Sequence, residues 1–228
     1  MIHPNCRARF TGEDFAFIVR VLARHRQQEV NLVSLLTDEA ARDQILDHEA
    51  LVHAVLENPT NLTISPQFYF YILARLALKR SGLMDRSLAD YVASLLEHFT
   101  RMRRLQAPVG NVQSTYLSDL LLALQNATPY QTFLIRAHIG NYALFITGIF
   151  YENVERRSLR GAPSCSFYET LGQRSFHTIA SHDVARRFEM TDLFENLSEQ
   201  FHKCRLALNR LAEELLDFND NRHLPSLQ

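Results

Sequence analysis

Three polar side chains that could do chemistry lie in the very apolar helix predicted from Pro129, which reads FLIRAHIGNYALFITG over residues 133–148. They are Arg136, His138 and Asn141. A polar group buried in so apolar a helix needs a hydrogen-bond partner, and a buried arginine needs a carboxylate or a ligand anion. Arg75, midway along a second very apolar segment, raises the same question. These residues therefore predict either structural ion pairs or a ligand pocket.

The ligand hypothesis places a pocket between the helix that follows Ser65 and the helix that follows Thr128. The pocket would hold a small anionic or aromatic ligand, and its lining would be Tyr69, Tyr71, Arg75, Arg136, His138, Asn141 and Tyr142. In the alternative, which is favoured because structural ion pairs mimic sites, the two arginines pair with acids such as Asp119, Glu152 or Glu169. Gly140 and Gly148 then only permit close helix contact.

The histidines do not predict a metal site, although the chain has ten of them. Glu199 and His202 form one Glu-x-x-His pair, whereas a di-iron bundle needs two such pairs. His48 and His53 lie five residues apart, so they point about 140° apart on a helix and cannot share a metal. Nucleophile-elbow and phosphate-loop motifs are absent. We expect no metal and no cofactor, and no catalytic residue is assigned.

The C-terminal region carries apolar residues at alternating spacings of four and three, which is typical of a heptad seam. The seam consists of Leu197, Phe201, Cys204, Leu208, Leu211, Leu215 and Phe218. The favoured interpretation is that it packs into the protein's own bundle, because terminal helices commonly close bundles. The alternative is a homodimer interface formed by Leu197, Phe201, Leu208, Leu211 and Leu215.

Helix-start signals recur along the chain, at Thr11, Thr37, Ser65, Ser87, Thr128 and Ser166. The corresponding helices are predicted over residues 11–27, 37–57, 66–81, 87–104, 128–155 and 166–181, with further helices over 115–125 and up to 218. Residues 32–36 are predicted as an apolar turn and 106–113 as a loop. No alternating pattern indicates a strand. The predicted fold is one all-α domain over 1–228, a bundle of about eight to nine helices with a long amphipathic C-terminal helix. Residues 1–10 and 219–228 are predicted as flexible ends.

The composition of the chain limits the classes of partner and the compartment that we expect for it. Lys plus Arg total 24 against 25 Asp plus Glu, so a surface that tracks nucleic acid or an anionic membrane is not expected. The three cysteines lack any CxxC pair, the N-terminus lacks an apolar signal core, and no apolar run reaches the roughly 20 residues of a membrane span. The sequence predicts a cytoplasmic helical interaction or scaffold protein that self-associates through its last helix. The alternative is a small-molecule binder or enzyme with a polar pocket around Arg136, His138 and Asn141.

Overall fold

The computed structural model describes residues 1–57, 63–101 and 117–223, with side chains as far as Leu215. These ranges contain thirteen α-helices, two short 3-10 helices and no strand. The all-α class is therefore confirmed. The helices outnumber the predicted eight to nine because several predicted helices are broken in two. The predicted loop over 106–113 lies outside the described residues.

The helices divide the chain into short segments joined by tight connections. In chain order they are α1 Gly12–Leu22, α2 Arg26–Thr37, α3 Glu39–Leu46, α4 Glu49–Glu57, α5 Pro66–Arg80, α6 Arg86–Arg101, α7 Leu117–Ala123, α8 Pro129–Ile149, α9 Tyr151–Ser158, α10 Cys165–Ala180, α11 Asp183–Arg187, α12 Thr191–Glu199 and α13 Phe201–His223. The 3-10 helices are Arg7–Arg9 and Leu124–Asn126.

Three predicted helix starts are confirmed, because the capping side chain accepts the expected backbone N–H. Thr11 and Thr128 each form a complete capping box at the start of α1 and α8. Ser65 Oγ accepts the N–H of Phe68 at 3.1 Å, with a proline in the first position of α5. The predicted end of α5 is also confirmed, since Gly82 adopts φ 77° directly after the last turn.

Three other predicted starts are displaced by one or two residues, because a neighbouring side chain supplies the cap. Asp38, Asp85 and Ser164 take the places of Thr37, Ser87 and Ser166. In each case the side-chain oxygen accepts a backbone N–H three residues further on, at 2.7–3.3 Å. The short polar residue nearest the first turn is therefore not always the one that caps it.

The predicted long helices are broken at positions without glycine or proline. Asp47 and His48 separate α3 from α4, Phe150 separates α8 from α9, and Gln200 separates α12 from α13. The predicted apolar turn over 32–36 is wrong, since these residues belong to α2. The C-terminal helix reaches His223, so the first part of the predicted flexible tail is helical.

In the described part of the chain, no single helix combines the length and apolarity of a bilayer span. The consecutive helices α8 and α9 pass that test only when taken together, and they meet at an angle of 96°.

The core is centred on α8, which packs most extensively against α10 and α13. Glycines bring these helices close together, as predicted for Gly140 and Gly148. A Cβ at Gly140 would lie 2.8 Å from the ring of Phe176, and one at Gly148 would lie 2.8 Å from Leu208. Around this centre, α5 packs on α6 and α13, and α12 packs on α10.

The first ten residues pack on this core, in contrast to the predicted flexible N-terminus. Ile2 and Cys6 are buried. Cys6 Sγ lies 3.3 Å from Ser94 Oγ of α6. The side chain of Arg7 is held by two ion pairs, described below. These contacts fix the segment that leads into α1.

We expect Gly172→Ala to destabilise the fold. A Cβ at Gly172 would lie 2.5 Å from the ring of Phe201, which is fully buried and has no room to move. Overpacking of this kind costs roughly 1–3 kcal/mol, which exceeds the helix-propensity gain of up to about 1 kcal/mol. Urea unfolding followed by circular dichroism measures the difference. Gly12→Ala is the control, since nothing lies within 4 Å of its Cβ position; equal stability of the two variants would contradict the packing argument.

Candidate functional site

The seven residues predicted to line a ligand pocket do not line a common cavity. Their helices, α5 and α8, pack mainly against α6, α10 and α13 rather than against each other. Five cavities of about 200–770 Å³ lie among the described residues, and none of the seven lines any of these five. Each of the seven has its own surroundings.

On α5, Arg75 forms a structural ion pair, which is the favoured alternative for this residue. Its Nε and Nη2 donate to the two carboxylate oxygens of Asp47 at 2.8 and 3.0 Å. Its Nη1 donates to the carbonyl of Met84 at 2.7 Å. The partner is none of the acids expected from sequence. Tyr71 is buried, which raises its pKa to about 12.

On α8, Asn141 and His138 are both buried. Asn141 Oδ1 accepts the phenolic O–H of Tyr91 at 2.8 Å, which joins α8 to α6 inside the core. The ring of His138 lies 6.2 Å from that of Phe99. Burial lowers the pKa of His138 to about 4, so its imidazole is neutral at pH 7. Both side chains contact α6, not a cavity.

The remaining three predicted residues are half-buried. Tyr69 makes an edge contact with Phe70 at 5.3 Å, and Tyr142 makes one with Tyr168 at 6.2 Å. Arg136 has a buried Nε with no hydrogen-bond partner among the described residues. The structure therefore separates these side chains and does not assemble them around a ligand.

The heptad seam lies inside the chain's own core. Leu197, Phe201, Cys204, Leu208 and Leu211 are almost fully buried, and Leu215 is partly buried against the same cluster. Their covering partners include α5, α8 and α10. The seam is also interrupted at Gln200, where α12 ends. The side chains proposed as a dimer interface are therefore already occupied within one chain.

The densest group of charges surrounds Asp47, at the junction of α3 and α4. Its carboxylate accepts from Arg75, as described, and from both Nη atoms of Arg86 at 3.0 and 3.3 Å. Lys79 Nζ lies 3.9 Å away. Burial alone would raise the pKa of Asp47, but the hydrogen bond and charge of Arg75, with the charges of Arg86 and Lys79, lower it below its ordinary value.

Arg7 extends this group towards the N-terminus. Its Nε donates to Asp90 and its Nη1 to Asp43, each at 2.9 Å, and its backbone N–H donates to Asp90 at 2.9 Å. Together these residues form an aspartate cluster, consisting of Asp43, Asp47 and Asp90 with Arg7, Arg75, Lys79 and Arg86. Each carboxylate is occupied by a guanidinium, so none is available as a general base. The cluster joins the N-terminal segment, α3, α5 and α6.

A polar cavity of about 400 Å³ lies beside the N-terminal segment. Its floor is Glu97, which is buried and accepts from Arg9 Nη1 at 3.0 Å and from Arg101 Nη2 at 2.9 Å. Gln67 Nε2 also donates to this carboxylate. The charges here are paired with one another. Among the described residues, no three His, Cys, Asp or Glu side chains form a group that would hold a metal ion.

The largest of the five cavities, about 770 Å³, is an apolar groove between α1 and α2. We call it the α1–α2 groove. Its α1 wall is Gly12, Phe15, Ala16, Val19, Arg20 and Ala23, and its α2 wall is Glu29, Val33, Leu36 and Thr37. Within each wall the residues are spaced three or four apart along much of the helix, so each wall is one helix face.

Asp14 fixes α1 so that its other face is free to line the groove. Its carboxylate accepts from the N–H of Thr11 and from both the N–H and the O–H of Ser65, all at 2.7 Å. Phe17 and Ile18 are buried on the core side of the same helix. The groove therefore lies on a helix that is anchored at the start of α5.

The α2 helix contributes little to the core. Leu36 is its single buried residue, whereas Val30, Val33 and Leu35 are 60%, 56% and 48% exposed. The helix packs on α1 and α3. Of these three exposed side chains, Val33 lines the α1–α2 groove, and an exposed apolar side chain at an apolar groove is typical of an interaction surface.

Sequence reasoning missed this groove because residues 32–36 were interpreted as a turn. Two signals favour a helix. Residues 26–37 contain neither glycine nor proline, and Val30, Val33 and Leu36 follow one another at intervals of three. The residue before the helix, His25, makes no side-chain cap, so a start marker is lacking.

No protein-family model, curated protein or solved structure matches this chain.

We expect Asp47→Asn to destabilise the protein by about 2–3 kcal/mol, because it leaves the buried Arg75 without a counter-charge. The folded-state pKa of Asp47 is lowered, so its contribution is present above the unfolded value of 3.8 and is lost as the pH falls through the folded value. The stability gap between wild type and variant, measured by urea unfolding, should therefore close in acid. Asp183→Asn, in an exposed ion pair, is the control and should change stability little.

We also expect His138 to make the fold sensitive to mild acid. Its folded pKa of about 4 lies below the ordinary 6.5, so protonation favours the unfolded chain as the pH falls from 6.5 towards 4. Between pH 7 and pH 5 this costs about 1–2 kcal/mol. His138→Leu should remove that loss in urea unfolding at the two pH values, whereas the exposed-residue control His53→Gln should retain it. An unchanged pH dependence in His138→Leu would contradict this assignment.

Proposed function

We propose that this chain is a helical interaction protein that binds an amphipathic α-helix of a protein partner in the α1–α2 groove. The observation that carries the proposal is an apolar groove of about 770 Å³ that is lined in part by the exposed side chain of Val33, with the exposed Val30 one turn before it. Helix-in-groove recognition uses this geometry, with the apolar face of one helix placed between two others.

The dimensions of the groove suit a short helix. With 11 and 12 residues, α1 and α2 are roughly 16–18 Å long at 1.5 Å per residue, which matches about three turns of a bound helix. Such a helix would present apolar residues at intervals of three and four. Arg20 and Glu29, one on each wall, offer charges of both signs to polar residues at its edge.

Burial of the exposed α2 side chains supplies a driving force. Full burial of a valine or leucine side chain is worth about 1.5–3 kcal/mol, so side chains that are already half-buried would contribute roughly 1 kcal/mol each. Val30 and Val33 together would contribute about 2 kcal/mol. Part of this is offset by the entropy lost on association.

We propose that this binding takes place in the cytoplasm. Cys6, Cys165 and Cys204 are free and buried, and none forms a disulfide. Unpaired thiols are typical of reducing compartments, where disulfides rarely persist.

Photocrosslinking from within the groove tests the interaction. The photoreactive residue p-benzoylphenylalanine is placed at Val33, which lines the groove, or at Asn31, an exposed polar position on the same helix. In intact cells of the source organism, we expect a discrete protein adduct from position 33 and little from position 31. Ala16→Glu, which adds a charge to the exposed opposite wall, should abolish the adduct from position 33.

Equal adducts from the two positions would overturn the proposal, as would an adduct at position 33 that is insensitive to Ala16→Glu. Circular dichroism of the purified variants shows whether each remains folded, so a lost adduct is assigned to the groove rather than to unfolding.

A further inference from the structure

We infer that the α1–α2 groove is occupied by α2 of a second copy of this chain, so that two α1–α2 hairpins form an antiparallel four-helix bundle. The inference rests on the proposed function, since it names the partner that the groove binds. A two-fold arrangement would place α2 of each copy in the groove of the other. Such an interface must be self-complementary, because the same patch is used twice.

The hairpin carries both halves of an apolar interface. Val33 lines the groove and is also 56% exposed, and Val30 lies one turn before it on the same helix. Between Val30 and Leu36 the helix has no charged residue. The helix α2 therefore lines one side of its own groove, and its exposed apolar side chains could also be buried in the groove of a second copy.

The two ends of the hairpin carry opposite charges. Arginines gather where α1 turns into α2, and acids gather at the open end, where α1 begins and α2 ends. The arginines are Arg20, Arg24 and Arg26, and the acids are Glu13, Asp38 and Glu39. All six side chains are exposed. Glu29 lies near the turn and Arg42 near the open end, and each leaves the sign of the net charge at its end unchanged.

This polarity decides how two copies would meet. In an antiparallel pair, the basic turn of each hairpin lies beside the acidic open end of the other, so both charged contacts are attractive. A parallel pair would set arginine against arginine and acid against acid. Charge complementarity of this kind fixes register and partner choice more than affinity. The charges of one hairpin are thus complementary to those of a second copy in antiparallel orientation.

Sedimentation equilibrium of the purified full chain, from micromolar to submillimolar concentration, tests the pairing. Wild type should rise towards twice the monomer mass as the concentration increases. Val33→Glu should remain monomeric, because it would bury a charge in the groove. Asn31→Glu places the same charge on the polar side of α2 and should dimerise like wild type. Circular dichroism should show all three folded alike.

A charge-swapped pair tests the charged contacts at the two ends. One variant carries Arg24→Glu with Arg26→Glu and has acids at both ends; the other carries Glu13→Arg with Glu39→Arg and has a predominance of arginines at both ends. Each alone should lose the dimer by like-charge repulsion. An equimolar mixture at low salt should form the heterodimer in native mass spectrometry, and added salt should weaken it.

A wild-type chain that stays monomeric throughout overturns the inference, and so does a dimer that survives both Val33→Glu and the charge-swapped variants. The proposed function can hold even if this inference fails. If position 33 still gives an adduct with a different protein in cells, and Ala16→Glu removes it, the groove binds a foreign helix and only the second-copy inference fails.

Discussion

Close approach of α8 to α10 and α13 is the constraint on which the remaining architecture depends. Gly140 and Gly148 let Phe176 and Leu208 sit directly against the α8 backbone. Gly172 on α10 likewise lets the ring of Phe201, on α13, sit directly against the α10 backbone. With these helices so near one another, the interior is filled by rings and branched chains, and the seam of the last two helices is used up inside the molecule. Among the described residues, apolar surface therefore remains uncovered only away from this centre, and part of it lies on α2.

Two polar side chains inside this interior are satisfied by partners far away in sequence. Asn141 accepts from Tyr91 across α8 and α6, and Arg75 is neutralised by Asp47 from the α3–α4 junction. A buried charge without such a partner would be strongly unfavourable. The partners that make these residues structural also explain why they do not form a ligand site. Their hydrogen-bonding groups and charges are used in contacts that hold helices together.

The parts of the fold that sequence reasoning captured are those decided locally. The caps at Thr11, Ser65 and Thr128 involve residues three positions apart, so their signature is visible in one turn of sequence. The break at Asp47 has no such signature. It places one carboxylate where Arg75 and Arg86 both reach it, and that requirement exists only once α5 and α6 are in place.

The α1–α2 groove could not be predicted from the sequence for the same reason. The exposure of Val30 and Val33 depends on which helices cover α2, and periodicity reports an apolar face without saying whether the chain itself covers it. The heptad seam illustrates the opposite case, since its spacing is the more regular and the chain buries it in its own core, in line with the favoured interpretation. Pattern strength is therefore a poor guide to which apolar face is left for a partner.

The two aspartates that hold Arg7 have a consequence for biosynthesis. Asp43 lies 36 residues further along the chain and Asp90 lies 83 residues further along. Chains emerge from the ribosome N-terminus first, at about 5–20 residues per second. The opening segment must therefore wait for several seconds, with its arginine solvated, before α6 emerges to receive it. Contacts that span so much sequence form late, so residues 1–10 reach their native place only after residues that are made much later.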